Sequence, residues 1–411
     1  MEFLSLFNFI IGVLFFVCYT YQFAYIFVPL FKKDKPHKPT KPHRYAVLIS
    51  ARNEEKVLPQ LLKSLQEQTY DMSLVTIFVV ADNCTDSTAK VAAEFSGVKV
   101  YERFNDELVG KGYALDFLLD HIKHDYPAGS FDAFFVFDAD NILDKNYIEQ
   151  MNKTFSDGYK IITSYRNSKN YGDNWISAGY SLWFLRESKY LNYSRMLLGN
   201  SCAVSGTGFM FSREIIKKTN GWKFFLLTED IQFTVHNVLS GEKIGFCKGA
   251  VLYDEQPVKF SQSWKQRLRW AKGYLQVFKN YGFRLFKGIF KNFSCFDMSM
   301  SIMPAIVITA MCIITNTVGC IVLVSMGVSV FASLKPLAIT ILSAYCTMFL
   351  VGSITTITEW KNIRTSVFKK IKAMFTFPFF MLTYIPISLT AFFKKVKWTP
   401  IEHNINEIKE D

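Results

Sequence analysis

The chain has 411 residues, of which 50% are hydrophobic and 20% are charged, and its mean hydropathy is +0.13. This composition excludes a mainly disordered chain, because such chains are poor in apolar residues and rich in charge. The formal net charge of +12 is compatible with nucleic acid, a membrane surface or a small anion as partner, so the positions of the basic residues have to decide between them.

Basic residues cluster in three segments, residues 32–44, 361–372 and 394–397, which account for the whole excess of positive charge. Each segment adjoins a long apolar run, and basic residues beside apolar spans mark the cytoplasmic side of a membrane. The polar middle of the chain has no basic stripe interleaved with aromatic residues. We therefore expect a lipid bilayer as partner and no nucleic acid.

The eight cysteines include no Cys-x-x-Cys pair, and half of them lie inside apolar runs. A disulfide framework or a zinc site would need regular spacing of these residues. We expect buried free thiols in a reducing compartment.

Four apolar runs approach or exceed the length of about 20 residues that a helix needs to cross a bilayer: residues 3–31, 298–334, 337–358 and 373–393. In the first, positive charge follows the run, which favours an anchor with its N-terminus outside over a signal peptide. Lys335-Pro336 predicts a turn between the second and third runs. Pro378 and Pro386 interrupt the last run, which either spans against the positive-inside tendency or re-enters the membrane.

Between the first and second runs, short apolar strands alternate with helical stretches. The strands are predicted at residues 46–49, 75–81, 98–101 and 133–137, and the helices at 54–66, 87–95 and 111–123. This alternation predicts an α/β fold with a Rossmann-like, mostly parallel sheet that is covered on both faces. Such sheets bind ligands beyond the carboxyl ends of their strands.

Two aspartates, Asp138 and Asp140, follow the fourth predicted strand. Ionised carboxylates at the end of a buried strand are costly unless they are paired or bound to a cation. Mg²⁺ and Mn²⁺ take oxygen ligands, often one or two carboxylates together with substrate phosphates. The pair therefore suits a metal–diphosphate site. The structural alternative is that Asp140 caps the next helix and Asp138 binds loop amides.

Other polar residues also follow strands. Asp82 could bind a nucleobase or ribose, whereas Arg52 and Glu54 could pair with each other at a helix start. Lys111 stands between two glycines, a weak indication of phosphate binding that a simple turn also explains. Further along, Glu229-Asp230 follows a short apolar stretch.

The segment Gln266-Arg267-Leu268-Arg269-Trp270 lies on a stretch where Trp264, Arg267, Trp270 and Tyr274 recur every three or four residues. This spacing predicts an amphipathic helix at the membrane interface. A guanidinium is also a natural clamp for a diphosphate, and an indole is a stacking surface for a sugar ring.

In this order, Asp82, Asp138-Ala139-Asp140, Thr228-Glu229-Asp230 and the Gln-x-x-Arg-Trp segment resemble the membrane-integrated family 2 glycosyltransferases, which include cellulose, chitin, hyaluronan and poly-N-acetylglucosamine synthases. The motifs cover residues 45–281, and the flanks match in topology. The chain departs from many relatives in Ala51-Arg52-Asn53-Glu54, where they carry an aromatic residue before Asn-Glu.

The resemblance implies a plasma-membrane protein with a cytoplasmic GT-A-type domain. It divides the chain into an N-terminal transmembrane helix (1–31), a basic linker (32–44), the catalytic domain (45–255), amphipathic interfacial helices (256–297), a transmembrane region (298–393) and a basic and polar tail (394–411).

The resemblance also implies a role for each motif. The nucleotide sugar would contact Arg52, Glu54, Asp82, Lys111, Asp138, Gln266, Arg269 and Trp270. A divalent metal ion, Mg²⁺ or Mn²⁺, would bind Asp138 and Asp140, with Asp140 the better ligand. Asp230, beside Glu229, would be the general base. The acceptor side would comprise Ser205, Gly206, Thr207 and Trp270.

The activity so implied is inverting transfer of glucose or N-acetylglucosamine from a UDP-sugar to a growing β-linked polysaccharide, with accessory export subunits as candidate partners. One alternative is a non-processive enzyme that glycosylates a lipid. Outside the class, a membrane-anchored nucleotidyltransferase would release pyrophosphate instead of UDP, and a transporter or inert scaffold would release neither.

Overall fold

The computed structural model describes residues 2–302, 304–400 and 403. Of the tail predicted at 394–411, residues 401, 402 and 404–411 lie outside the described residues. Within the described part, eight strands form one sheet: β1 (Tyr45–Ala51), β2 (Val75–Asp82), β3 (Val98–Arg103), β4 (Ala133–Asp138), β5 (Ile142–Leu143), β6 (Ile161–Ser168), β7 (Phe209–Ser212) and β8 (Ile244–Asp254).

The helices of the described residues surround this sheet and extend beyond it. They are α1 (Glu2–Phe31), α2 (Leu58–Gln66), α3 (Thr88–Ala93), α4 (Lys111–Asp125), α5 (Tyr147–Ser156), α6 (Trp175–Arg186), α7 (Tyr193–Leu198), α8 (Arg213–Thr219), α9 (Glu229–Leu239), α10 (Phe260–Gly288), α11 (Phe293–Ile302), α12 (Pro304–Ser325), α13 (Val330–Thr358), α14 (Val367–Leu382) and α15 (Tyr384–Phe393). A 3-10 turn, Met72–Leu74, precedes β2, and a π-helical segment, Glu187–Asn192, joins α6 to α7.

The sheet is mixed but mostly parallel on its first half, with strand order β3-β2-β1-β4-β7-β6-β8-β5. Strands β3, β2, β1 and β4 are parallel neighbours, as the alternating pattern predicts. β7 is antiparallel to both β4 and β6, and β6 pairs in parallel with β8. The carboxyl ends of β1, β2 and β4 therefore lie at one edge of the sheet, which brings their polar residues together.

Both faces of the sheet are buried because alternate residues of each central strand enter different cores. Ala46 and Leu48 of β1 pack with Leu115 of α4 and Phe233 of α9. Val47 and its neighbours on the other face pack with α2 and α5. This explains why the central strands are continuously apolar instead of alternating with polar residues.

Four helical stretches among the described residues are long and apolar enough to cross a membrane: Glu2–Phe31, Val307–Ser325, Val330–Thr358 and Val367–Phe393. The last consists of α14 and α15, which are divided at Thr383, and Pro378 lies inside α14.

The turn predicted at Lys335-Pro336 is wrong, because α13 runs through both residues. The chain turns earlier. Gly327 takes the left-handed conformation (φ +83°) after α12, and the Ser329 side chain accepts a hydrogen bond from the amide of Ala332 at the start of α13.

A buried ion pair between α7 and α11 is also hydrogen-bonded to the first apolar helix, α1. Arg195 of α7 donates two hydrogen bonds of 2.7 Å to Asp297 of α11. The hydroxyls of Tyr21 and Tyr25 of α1 donate to the same carboxylate. Since every oxygen of this buried carboxylate is thereby bound, the cluster holds α1, α7 and α11 in one arrangement.

Candidate active site

Lys111 connects the first aspartate of the Asp-x-Asp pair to the loop before β7. At the start of α4, its Nζ donates to Asp138 Oδ1 and, at 2.8 Å, to the carbonyl of Gly206. The Asp138 amide in turn donates to Thr207 Oγ1 at 2.9 Å. The structure thus brings the predicted residues Lys111, Asp138, Gly206 and Thr207 together at the carboxyl end of β4.

Asp140 lies deeper than Asp138 and does not cap a helix, so the structural alternative for this residue is wrong. Its Oδ2 accepts a hydrogen bond of 3.0 Å from the amide of Glu255, while the next helix, α5, begins at Tyr147 after Asn146. Burial alone would raise the pKa of Asp140, but the nearby cations His403, Lys169 and Arg166 hold it below its usual value. Asp140 is thus a buried carboxylate kept ionised by surrounding positive charge.

The small number of carboxylates at Asp138 and Asp140 limits how this pair could bind a divalent ion. Among the described residues, no group of three or more His, Cys, Asp and Glu side chains could form a metal cage. Two carboxylates, one half-exposed and one buried, leave most coordination positions of an octahedral ion for other oxygens. Mg²⁺ is commonly bound through one or two carboxylates plus phosphates and water. Asp138 and Asp140 therefore fit an ion that arrives with a diphosphate.

Glu229 and Asp230 form the first turn of α9, opposite the same loop. The amides of Ile231 and Gly206 lie beside the Asp230 carboxylate, and burial raises its pKa. Burial and the neighbouring Asp230 also raise the pKa of Glu229, to about 7. The positive charges of Lys111 and Arg269 favour the ionised form of both carboxyl groups and so limit the rise of both pKa values. Each of these cations therefore lies close enough to the carboxylate pair to interact with it electrostatically.

The helix α10 carries the Gln-x-x-Arg-Trp segment across the site. Gln266 Oε1 is buried and has no hydrogen-bond partner within the described ranges. Trp270 packs edge-on against Tyr180 and Phe184 of α6, with ring centroids 5.7 and 6.1 Å apart. Gly273 allows the helix to pass directly over Thr228, since a Cβ there would lie 2.5 Å from two atoms of that side chain.

The face of α10 that the spacing predicts at the membrane interface packs against protein at Arg267. This side chain is fully buried, and its Nη1 donates to the carbonyl of Phe380 at 3.1 Å and to Thr383 Oγ1 at 2.6 Å. Its guanidinium also lies 4.4 Å from the Phe380 ring centroid. Arg267 therefore joins α10 to the break between α14 and α15.

The ends of β1 and β2 hold Arg52, Glu54 and Asp82. Asp82 is buried and accepts a 2.5 Å hydrogen bond from Arg103 Nη1, an ion pair that the sequence does not predict. Arg52 Nη1 is buried without a hydrogen-bond partner in the part of the chain that is described. The Glu54 carboxylate lies 3.0 Å from Nδ1 of His403. Its pKa is raised by burial.

On the acceptor side, Ser205 Oγ donates to Glu187 Oε1 at 3.0 Å. Glu187 begins the π-helical segment, and such segments are frequent at functional sites. A small cavity lies here, and its lining includes Arg166, Phe184, Glu187, Ser205 and Thr207. Glu187 has no motif around it, so the sequence gives no signal for its position beside Ser205.

Two further residues at this edge come from the predicted tail. Trp398 lies over the Arg52 guanidinium, with 5.3 Å from Cζ to the ring centroid. His403 Nε2 is 3.9 Å from Asp140 Oδ2. Burial alone would lower the pKa of His403, but the carboxylates of Asp140 and Glu54 outweigh this effect and raise the pKa to about 10. An aromatic residue and a histidine beyond the basic cluster are the only sequence signal for this placement.

Known proteins that are similar to this chain include glycosyltransferases. The chain is 26% identical over 266 residues to a beta-monoglucosyldiacylglycerol synthase from Nostoc, which covers 62% of this chain and 54% of that protein. It is 24% identical over 232 residues to a poly-beta-1,6-N-acetyl-D-glucosamine synthase from Staphylococcus epidermidis, covering 56% and 54%. The chain spans about half the length of the curated relatives it matches.

The fold is similar to that of the mannosyltransferase PcManGT from Pyrobaculum calidifontis, solved with GDP-Man and Mn²⁺. The TM-score is 0.54 at 15% identity, and the match covers 94% of this chain and 99% of that one. The family described as "Glycosyltransferase like family 2" matches residues 42–273, which is more than half of the chain. The protein therefore belongs to the family 2 glycosyltransferases.

Proposed function

We propose that the protein is an inverting glycosyltransferase that moves glucose or N-acetylglucosamine from a UDP-sugar to the end of a growing β-linked polysaccharide at the cytoplasmic face of the plasma membrane. The observation that carries this proposal is the Lys111 bridge, which links Asp138 to the Gly206 loop facing Asp230. Lys111 is thereby close both to Asp138, the carboxylate on the donor side, and to Asp230, the candidate base. Family membership removes the nucleotidyltransferase and scaffold alternatives.

Asp230 is the base in this proposal. An acceptor hydroxyl is a poor nucleophile, and a carboxylate within hydrogen-bond reach takes its proton as the new bond to C1 forms. The raised pKa of Asp230 supports this role because it makes the carboxylate a stronger base than an exposed aspartate. Attack on the face of C1 opposite UDP inverts that centre, so an α-linked donor gives a β-linkage.

Cations stabilise the departing UDP. Its negative charge grows as the bond to C1 breaks, and Lys111 and Arg269 both lie close enough to affect the carboxylate pair electrostatically. Asp138 and Asp140 would hold a divalent ion, which when bound supplies further charge stabilisation to the diphosphate. The partnerless Gln266 Oε1 and Arg52 Nη1 support binding of a polar ligand by these two side chains.

Trp270 supports a sugar as acceptor. Tyr180 and Phe184 pack edge-on against the indole and thereby fix its orientation. An indole held in this way is a suitable surface for an acceptor sugar ring. This favours the end of a glycan chain over a simple alcohol.

The second candidate is a glycolipid synthase that adds a single sugar to a lipid hydroxyl. The similarity to the Nostoc beta-monoglucosyldiacylglycerol synthase favours it, as do the candidate membrane-spanning helices, which would present a lipid acceptor beside the site. The donor and the base would be the same in both candidates, so only the product separates them.

The experiment uses the full-length protein in membranes with a panel of nucleotide sugars and with Mg²⁺ or Mn²⁺. We expect UDP release with a UDP-hexose or UDP-N-acetylhexosamine and a ladder of polymeric products. One sugar per lipid would establish the second candidate, and no nucleotide release from any donor would refute both. Lys111→Ala should raise the donor KM, whereas Lys160→Ala, which removes a half-exposed surface ion pair with Glu214, should not.

A further inference from the structure

The small cavity beside the predicted acceptor residues contains a carboxylate that the proposed mechanism does not use. Its lining includes Arg166, Phe184, Glu187 and Ser205. Glu187 is the first residue of the π-helical segment. The cavity has room for about one water-sized group, so it is too small for a sugar ring but can admit a single hydroxyl group. It therefore suits one substituent of a ligand whose main part lies outside it.

Glu187 has few partners for a half-buried carboxylate. Its Oε1 accepts one hydrogen bond, of 3.0 Å, from Ser205 Oγ. Among the described residues it forms no ion pair, since the guanidinium that lines the same cavity, that of Arg166, pairs with Asp254, with 2.7 Å from Nε to Asp254 Oδ2. Burial raises the pKa of Glu187. A carboxylate in such a place is costly without further hydrogen bonds, and a ligand hydroxyl would donate one.

Other contacts already hold the loop before β7, so Glu187 is not needed for that purpose. The side chain of Asn192, in the π-helical segment, accepts a hydrogen bond of 3.0 Å from the amide of Ala203 and donates one of 3.2 Å to its carbonyl. Arg166 Nη1 donates to the carbonyl of Ser205 at 3.0 Å. Because a neutral side chain could also accept the Ser205 hydrogen bond, the charge at Glu187 points to a polar ligand.

The carboxylates of Glu187 and Asp230 lie beside neighbouring residues of one loop. Ser205 donates to Glu187, and at the next residue, Gly206, an added Cβ would lie 3.9 Å from Asp230 Oδ2. Both carboxylates also face Tyr274 of α10, because burial, then Glu187 and then Asp230 raise the pKa of its hydroxyl. The two carboxylates are thus placed to bind neighbouring groups of one ligand.

The indole proposed to hold the acceptor ring borders this cavity. Phe184 lines the cavity and packs edge-on against Trp270, with ring centroids 6.1 Å apart. We propose that Glu187 is a specificity-determining residue that accepts a hydrogen bond from the acceptor hydroxyl adjacent to the one that Asp230 deprotonates. An acceptor then needs two neighbouring hydroxyl groups, which a sugar has and a diacylglycerol lacks. This role rests on the proposed function, and it restricts the acceptor to a sugar.

The test compares acceptors that differ by one hydroxyl group. The full-length protein in lipid nanodiscs is given its UDP-sugar donor with methyl β-glucoside, methyl N-acetyl-β-glucosaminide or the monodeoxy analogues of both. The wild type should lose about 10-fold in acceptor kcat/KM with the analogue that lacks the hydroxyl adjacent to the attacking one. Glu187→Ala should lose about 10-fold with the parent glycoside, mainly through the acceptor KM, and nothing further with that analogue. Its donor KM should stay unchanged.

Two further variants separate this role from a purely structural one. Glu187→Gln keeps an oxygen that can accept the hydrogen bond from Ser205, so it should unfold at about the wild-type temperature while it loses part of the acceptor discrimination. Glu149→Gln removes a half-exposed ion pair with Lys153 on α5. This matched control should keep both the wild-type kinetics and the discrimination.

The outcomes distinguish a failure of this role from a failure of the proposed function. If the wild type transfers sugar and Glu187→Ala still discriminates by the wild-type factor, only the role of Glu187 is overturned. Dioleoylglycerol as a better acceptor than every glycoside would overturn it too. If no donor is turned over, the proposed function fails, and binding of the methyl glycosides with UDP present, measured by ligand-observed NMR, decides the role. About 10-fold weaker binding by Glu187→Ala supports it, and equal binding overturns it.

Discussion

Gly273 offers a test of how closely α10 approaches the proposed base. A Cβ at this position would lie 2.5 Å from both Cγ2 and Oγ1 of Thr228 and 2.9 Å from its Cβ. Carbon atoms in contact are normally separated by about 3.5 Å, so Gly273→Ala must displace α10 or Thr228 by about 1 Å. Thr228 directly precedes Glu229 and Asp230, so the displacement is transmitted to the carboxylate pair.

The expected loss is larger in catalysis than in stability. A misplacement of about 1 Å at a catalytic group costs about 100-fold in rate. Overpacking costs about 1–3 kcal/mol of unfolding free energy, and the better helix propensity of alanine returns about 1 kcal/mol. We therefore predict a kcat about 100-fold lower and a change in unfolding free energy of at most about 2 kcal/mol.

The assay is steady-state UDP release together with thermal unfolding, for both single variants and the double variant. Thr228→Ala removes the two atoms closest to the added Cβ, so in the Gly273→Ala background it should restore part of the activity. The coupling free energy between the two substitutions should exceed about 1 kcal/mol. Gly12→Ala, where nothing lies within 4 Å of the added Cβ, is the control. Full activity of Gly273→Ala, or additive effects in the double variant, would refute the close approach.

Two further predictions follow from buried charges. Burial and the neighbouring Asp230 raise the pKa of Glu229 to about 7, so the Glu229–Asp230 pair takes up a proton as pH falls through this value. Because this proton weakens the pair as a base, kcat/KM should be full above this pH and fall as pH drops through it. Glu229→Gln should move that acid limb to lower pH, and an unmoved limb in the pH profile would contradict the coupling. Asp297→Asn should lower the unfolding free energy by about 3–5 kcal/mol, because it leaves Arg195 buried without its carboxylate. Thermal unfolding in detergent checks this, and a loss below 1 kcal/mol would contradict it.

The sequence predicts the first half of the sheet well because those strands are continuously apolar. The strand predicted at 133–137 is observed as β4, Ala133–Asp138, and the one at 75–81 as β2, Val75–Asp82. The helix predicted at 54–66 begins later, at Leu58, with Pro59 in its first turn. β5 to β8 are not predicted, because they pair in a mixed order that no local pattern encodes.

At the site, residues next to strand ends are predictable, but contacts over long sequence distances are not. Lys111, Asp138 and Gly206 meet because strand order brings their loops to one edge. Arg267 has the spacing of an interfacial residue, yet it is buried against Phe380 and Thr383, more than 110 positions away. The contact of His403 with Glu54 spans 349 positions, a separation over which no local sequence pattern acts.

The measurement that tests the central claim most directly is sugar transfer by Asp230→Asn in purified membranes, with UDP binding measured in parallel. Removal of a general base costs about 100- to 10,000-fold in rate, so we predict a kcat at least about 100-fold lower with UDP affinity retained. Asp125→Asn, an exposed aspartate on α4, should transfer normally. Near-wild-type transfer by Asp230→Asn would contradict the assignment of Asp230 as the base.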